Sequence, residues 1–115
     1  MSEIKYSLND GILCIDNEVV ELPWPVVQVL SCQSLLIVRV QSEFKKIYNR
    51  NIFAFLASAK LKWQIPECPH GGTSSKPYMR VYLAEDGELA VGNWIGVDYF
   101  VSLVDGSLTT KSFNR

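Results

Sequence analysis

Alternation of apolar and polar residues with a period of two is the clearest signal along the chain. From Lys60 to Ile65 it sends Leu61, Trp63 and Ile65 to one face and Lys60, Lys62 and Gln64 to the other, as in a strand half buried against a core. Tyr78 to Leu83 sets Met79, Val81 and Leu83 against Tyr78, Arg80 and Tyr82, and Val97, Tyr99, Val101 and Leu103 alternate with Asp98, Phe100, Ser102 and Val104. Both runs predict antiparallel strands with one buried face. Leu35 to Val38 and Ile52 to Leu56 are apolar at every position, which predicts central strands covered on both sides. Helical spacing is confined to Ser42 to Tyr48, where Phe44, Ile47 and Tyr48 stand at i, i+3 and i+4 with Ser42 as an N-cap, so one or two helical turns are expected there.

Turn chemistry separates these runs. Asn9-Asp10-Gly11, Asp16-Asn17, Ser58-Ala59-Lys60, Gly71-Gly72, Asp86-Gly87 and Asp105-Gly106 supply the residue types that hairpin turns favour. Pro23 and Pro25 hold Leu22 and Trp24 extended, so this segment crosses between sheets or lies at an edge. Pro66 to Pro77 offers nothing larger than His or Lys to bury and reads as the longest exposed loop. The expected fold is all-β: a single domain over residues 1–115, an antiparallel β-sandwich or curved half-barrel of about eight strands.

Composition sharpens this picture mainly by exclusion. The 115 residues are 48% hydrophobic and 20% charged, a balance that folds rather than stays disordered. Eleven Lys and Arg against twelve Asp and Glu leave a net charge of −1, which disfavours nucleic acid and anionic membranes as partners. The apolar stretch Val26 to Val40 is broken by Gln28, Ser31, Gln33, Ser34 and Arg39 and does not read as a membrane span. The opening Met1-Ser2-Glu3-Ile4-Lys5-Tyr6 lacks the layout of a signal peptide. Cys14, Cys32 and Cys68 are widely spaced, without a CxxC pair, so a cytoplasmic location is expected.

Catalytic chemistry finds little footing. The single histidine, His70, follows Cys68 and Pro69 without the base and orienting group that a nucleophile requires. An enzyme using His70 and Cys68 is therefore the least favoured reading. The three cysteines and His70 do not reproduce the paired spacing of zinc ligands. Gly71 to Lys76 lacks the GxxxxGK[ST] pattern and a following helix, so it is not a phosphate cradle. No catalytic residue, metal or cofactor is expected.

Three features point instead to protein recognition. Tyr78, Arg80 and Tyr82 line one strand face with residue types enriched at binding hot spots, the alternative being that they pack under a neighbouring loop or sheet. Trp94 sits beside a turn, where it serves either as an anchor or as core. Charge is also unevenly spread: Val81 to Thr110 holds Glu85, Asp86, Glu88, Asp98 and Asp105 with no Lys or Arg, whereas Arg39, Lys45, Lys46, Arg50, Lys60 and Lys62 oppose Glu43 alone. An acidic surface of this kind steers onto basic partners. The plain alternative is a solvated face of turn acids.

Two resemblances follow from these residues. Ile52-Phe53-Ala54-Phe55 followed by Lys60-Leu61-Lys62-Trp63 resembles the strand-turn-strand repeat of quinoprotein-type β-propeller blades, and Leu89 to Trp94, then Gly96, Tyr99 and Asp105-Gly106, is similar to the opening of a next blade. A closed propeller needs typically four or more blades of about four strands, so here such hairpins imply a small sandwich or open barrel. In size, all-β pattern, acidic patch and lack of catalytic groups, the chain resembles the small immunity proteins of bacterial contact-dependent growth-inhibition systems. That resemblance implies a non-catalytic protein that neutralises a basic toxin domain, with a ribonuclease as one candidate, by occluding its active site. Glu85, Asp86, Glu88, Asp98 and Asp105 are then the expected charge complements, and Trp94, Tyr78, Arg80 and Tyr82 the anchors. The alternatives are a small-ligand-binding β-barrel, with Phe53, Phe55, Trp63 and Tyr99 inside, and a structural adaptor subunit. Oligomeric state is left open.

Overall fold

Short runs of alternating residues joined by tight turns can bury their apolar faces only by pairing with sequence neighbours and stacking the resulting sheets. The computed structural model, which describes residues 4–43, 46–68, 77–93 and 97–110, has that architecture. The first sheet contains β1 (Tyr6–Asn9), β2 (Ile12–Ile15) and β3 (Glu18–Val19). The second contains β4 (Val26–Cys32), β5 (Leu35–Val40), β6 (Ile52–Phe55) and β7 (Leu61–Gln64), and the third β8 (Tyr78–Leu83), β9 (Leu89–Asn93), β10 (Asp98–Val101) and β11 (Leu108–Thr110). Each is an antiparallel meander in chain order. The described residues thus hold eleven strands rather than about eight, because two- and three-residue strands such as β3 and β11 are too short to show an alternation.

Three hairpin turns place two successive residues at positive φ: Asp10 and Gly11 (52° and 79°), Asp16 and Asn17 (51° and 69°), and Gln33 and Ser34 (47° and 71°). This conformation matches the right-handed twist of the flanking strands. Asn, Asp and Gly advertise the first two turns. Gln33 and Ser34 do not, and this turn splits the long apolar stretch into β4 and β5.

The second sheet is the middle layer. On one face Leu35, Ile37, Ile52, Ala54, Trp63 and Ile65 pack with Tyr78, Val81, Leu89, Val91, Tyr99 and Val101 of the third sheet and its approach. On the other, Leu36, Val38, Val40, Phe53 and Phe55 pack with Ile4, Leu13, Ile15 and Val20. The two-sided apolar character of Leu35 to Val38 and Ile52 to Phe55 is therefore the mark of strands covered by a sheet on either side. The fold is all-β and sandwich-like, and among the described residues the sheets do not close into a barrel. Phe53 and Phe55 lie in one core and Trp63 and Tyr99 in the other, so the four rings expected to share a ligand-binding interior are separated by the middle sheet.

Two β-bulges, and irregular backbone at the described residues of 42–48, differ from the pattern of the sequence. In β8 the register shifts between Tyr78 and Arg80, which turns Tyr78 inward, fully buried, while Arg80 and Tyr82 stay on the outer face. Tyr78 does not share their face. In β7, Leu61 pairs with Phe55 and Trp63 with Ala54, so Lys62 is the extra residue and Leu61 stands 53% exposed instead of packing beside Trp63. Ser42, Glu43 and Lys46 to Tyr48 are irregular rather than helical. The Ser42 hydroxyl donates to the Lys46 carbonyl at 2.7 Å, Ile47 is exposed, and Tyr48 packs edge-on against Trp24 with ring centroids 6.4 Å apart. One turn of helical spacing is too short to nucleate a helix without a packed face. Phe44, Trp94, His70 and the Gly71 to Lys76 run lie outside the described residues.

Candidate interaction surface on the third sheet

Two side-chain amides fix the third sheet on the middle one. β8 is an edge strand, and an edge exposes alternate backbone N–H and C=O groups. Gln28 of β4 meets both groups of Val81: its Nε2 donates to the Val81 carbonyl at 2.7 Å, and the Val81 N–H donates to its Oε1 at 3.3 Å. Arg39 Nε donates to the same Oε1 at 3.0 Å. Asn51 does likewise for Tyr78, donating from Nδ2 to the carbonyl at 2.9 Å and accepting the N–H at 2.9 Å, while Nδ2 also reaches the Val40 carbonyl at 3.2 Å. Each amide acts as a one-residue surrogate strand. Gln28 interrupts an apolar run and Asn51 follows Asn49 and Arg50, so each reads from the sequence alone as a solvent-facing residue.

Further bonds join the same two layers. Trp63 Nε1 donates to the Leu103 carbonyl at 3.0 Å. The buried Asn93 donates to Cys68 Sγ at 2.9 Å, and that sulfur shares a hydrogen bond of 3.1 Å with the Tyr99 hydroxyl. The Tyr78 hydroxyl donates to the Pro66 carbonyl at 2.7 Å. Burial pushes the Tyr78 and Tyr99 phenols well above the ordinary tyrosine range, with Cys68 adding to both. Burial likewise raises the Cys32 thiol. The three cysteines are unbridged, and among the described residues no three His, Cys, Asp or Glu side chains converge to hold a metal.

On the outer face of this sheet, Arg80, Tyr82 and Asp98 come together. Arg80 Nη2 lies 2.9 and 3.0 Å from the two Asp98 carboxylate oxygens, and the Tyr82 hydroxyl donates to Asp98 Oδ2. The Arg80 guanidinium also lies 5.6 Å from the centroid of the Tyr82 ring. Gly92, between Arg80 and Asp98 in the register, makes this arrangement possible: a Cβ there would come within 2.7 Å of Asp98 Oδ1 and 2.8 Å of Arg80 Cζ. Asp98 is therefore an ion-pair partner within the chain. It does not stand with the other four acids as an unopposed charge.

The remaining acids gather at one end. A meander brings alternate turns to the same end of its sheet, so the β8–β9 turn with Glu85, Asp86 and Glu88 shares an end with the β10–β11 turn carrying Asp105. All four are exposed. Asp86 Oδ1 accepts the Glu88 N–H at 3.2 Å, and Asp105 Oδ1 accepts the Ser107 N–H at 3.0 Å, so both also shape their turns. The Ser107 backbone N–H, followed by its hydroxyl, holds the Asp105 carboxyl below the usual carboxylate range. Of the nine expected contacts, the structure groups these four acids at a sheet end and Arg80, Tyr82 and Asp98 on a sheet face, and buries Tyr78; Trp94 lies outside the described residues.

Fold and surface together define an all-β, three-sheet protein with an acidic turn end. A family model described as a domain of unknown function, DUF7957, matches residues 1–113, and the chain belongs to that family. No curated protein and no solved structure matches it. Among the described residues no helix is long and apolar enough to cross a membrane.

Proposed function

We propose that this chain is a non-catalytic protein-binding module, an immunity protein working in the cytoplasm that neutralises a bacterial toxin domain by occluding its active site. The observation that carries this reading is the gathering of Glu85, Asp86, Glu88 and Asp105 in two turns at one end of a sheet, in a segment from Val81 to Thr110 without Lys or Arg. Carboxylates so arranged complement the cationic site of an enzyme that acts on phosphates, such as a ribonuclease, and accelerate docking onto it. Arg80, whose charge is paired with Asp98, and Tyr82 add a guanidinium plane and an aromatic ring on the adjoining face. Co-producing the chain with a basic toxin domain that it binds should restore growth of the host. The double reversal Glu85→Lys with Glu88→Lys should slow association about tenfold or more at low salt. Persistent toxicity in the presence of the folded chain, or association indifferent to the reversal, overturns the reading.

A further inference from the structure

We infer that the groove on the first sheet between the start of β2 and the segment that follows β3 is a second docking surface, which takes an extended protein segment carrying Lys or Arg beside apolar side chains. It is an open groove of about 460 Å³, walled by Ile12, Val19, Leu22 and Trp24 and rimmed by Asp10 and Glu21. Ile12 and Val19 are 56% and 64% exposed, although Ile12 is flanked by Leu13 and Val19 by Val20, which are buried. The backbone beside them is oriented for pairing. The Val20 N–H donates inward to the Leu13 carbonyl at 2.9 Å, so alternation along the strand directs the N–H and C=O of Val19 to the open side. Among the described residues β3 has a sheet neighbour on one side only, so an occupant that runs on from the groove along β3 gains backbone hydrogen bonds there.

Charge selects the occupant. Residues 6–25 contain Asp10, Asp16, Glu18 and Glu21 and no Lys or Arg, so an acidic strand, a nucleic acid or an anionic membrane is repelled and a cationic segment attracted. A second copy of this chain pairing through its own β3 would set Glu18 and Glu21 against like charges, which is unfavourable across a strand pair. The wall is also stiff: Trp24 stands between two prolines and packs against Tyr48, so little ordering remains to be done on binding.

The test uses the full chain, labelled with ¹⁵N, titrated with a short peptide alternating Val and Lys and with its counterpart carrying Glu in place of Lys. The Val-Lys peptide should give saturable shifts at Gly11, Ile12, Val19, Glu21 and the Trp24 amide and indole. Val19→Ser and Glu21→Lys, both at exposed positions, should each weaken binding about tenfold without changing the dispersion of the spectrum. No saturable shift, equal binding of the Val-Glu peptide, or shifts confined to the turns of Glu85 to Glu88 and Asp105 would overturn the assignment. Neither substitution touches those turns, so failure here is distinguishable from failure of the immunity reading.

Discussion

The two faces of the middle sheet are held by different physics. Towards the first sheet, Leu36, Val38, Val40, Phe53 and Phe55 meet Ile4, Leu13, Ile15 and Val20, and the Val26 N–H bonds the Gly11 carbonyl at 2.9 Å. Towards the third sheet, an apolar core of similar make-up is crossed by Gln28, Asn51 and Trp63, each hydrogen-bonded to a backbone group beyond its own sheet. Apolar contact stabilises without direction, whereas an amide that matches both the N–H and the C=O of one residue permits only one register. The third sheet is therefore set in place to within a hydrogen bond, and it is the sheet that carries the acidic turns and the Arg80, Tyr82 and Asp98 cluster.

The most severe test of this contrast is Asn51→Leu, which keeps the branched side-chain shape at somewhat larger volume and removes its bonds. It strands the buried N–H and carbonyl of Tyr78 and takes one donor from the Val40 carbonyl. Urea unfolding should show a loss of about 3 kcal/mol, since each unsatisfied buried group costs about 1–3 kcal/mol. A loss below about 1 kcal/mol would mean that water replaces the amide and that apolar packing alone positions β8.

The apolar face should respond more gently. Phe53→Leu removes part of a ring stacked against Phe55 at 6.4 Å, but most residues of that core are aliphatic chains that can repack, so the expected loss is about 1 kcal/mol by the same measurement. A loss equal to that of Asn51→Leu would erase the distinction between the faces.

That contrast also explains what was legible from residue order. Alternation sets Tyr99 and Val101 on a face apart from Asp98 and Ser102, and the two-sided runs Leu35 to Val38 and Ile52 to Leu56 mark the middle layer, with Leu56 falling past the end of β6 and exposed, because burial acts on each residue through its own strand. Tyr78 was assigned to the face of Arg80 and Tyr82 because period two holds only until a bulge inserts a residue, and nothing local in Tyr78-Met79-Arg80 marks the shift. The roles of Gln28 and Asn51 are hidden in the residue order for a related reason: their partners lie 53 and 27 residues away. The gathering of Asp105 with Glu85, Asp86 and Glu88 follows from meander topology, whereas the pairing of Asp98 with Arg80 depends on side-chain reach across Gly92.

The smallest effect concerns Asp105, where turn formation and partner recognition can be separated. Its carboxylate accepts the Ser107 N–H at 3.0 Å and is thereby held below the usual range. The stabilisation this brings is present above the ordinary carboxylate pKa and fades as pH falls through the lower folded value. Because the group is fully exposed, solvent screening keeps that contribution slight. Asp105→Asn retains an oxygen acceptor for the Ser107 N–H and discards the charge. Its melting temperature at neutral pH should match that of the parent within error, with the slight decline on acidification flattened, while association with a cationic partner slows. If the Asn variant associates as fast as the parent, Asp105 serves its turn alone and the acidic end reduces to Glu85, Asp86 and Glu88. If it slows association while the melting temperature holds, the charge acts on the partner directly, through a turn that the third sheet's amide anchors keep in place.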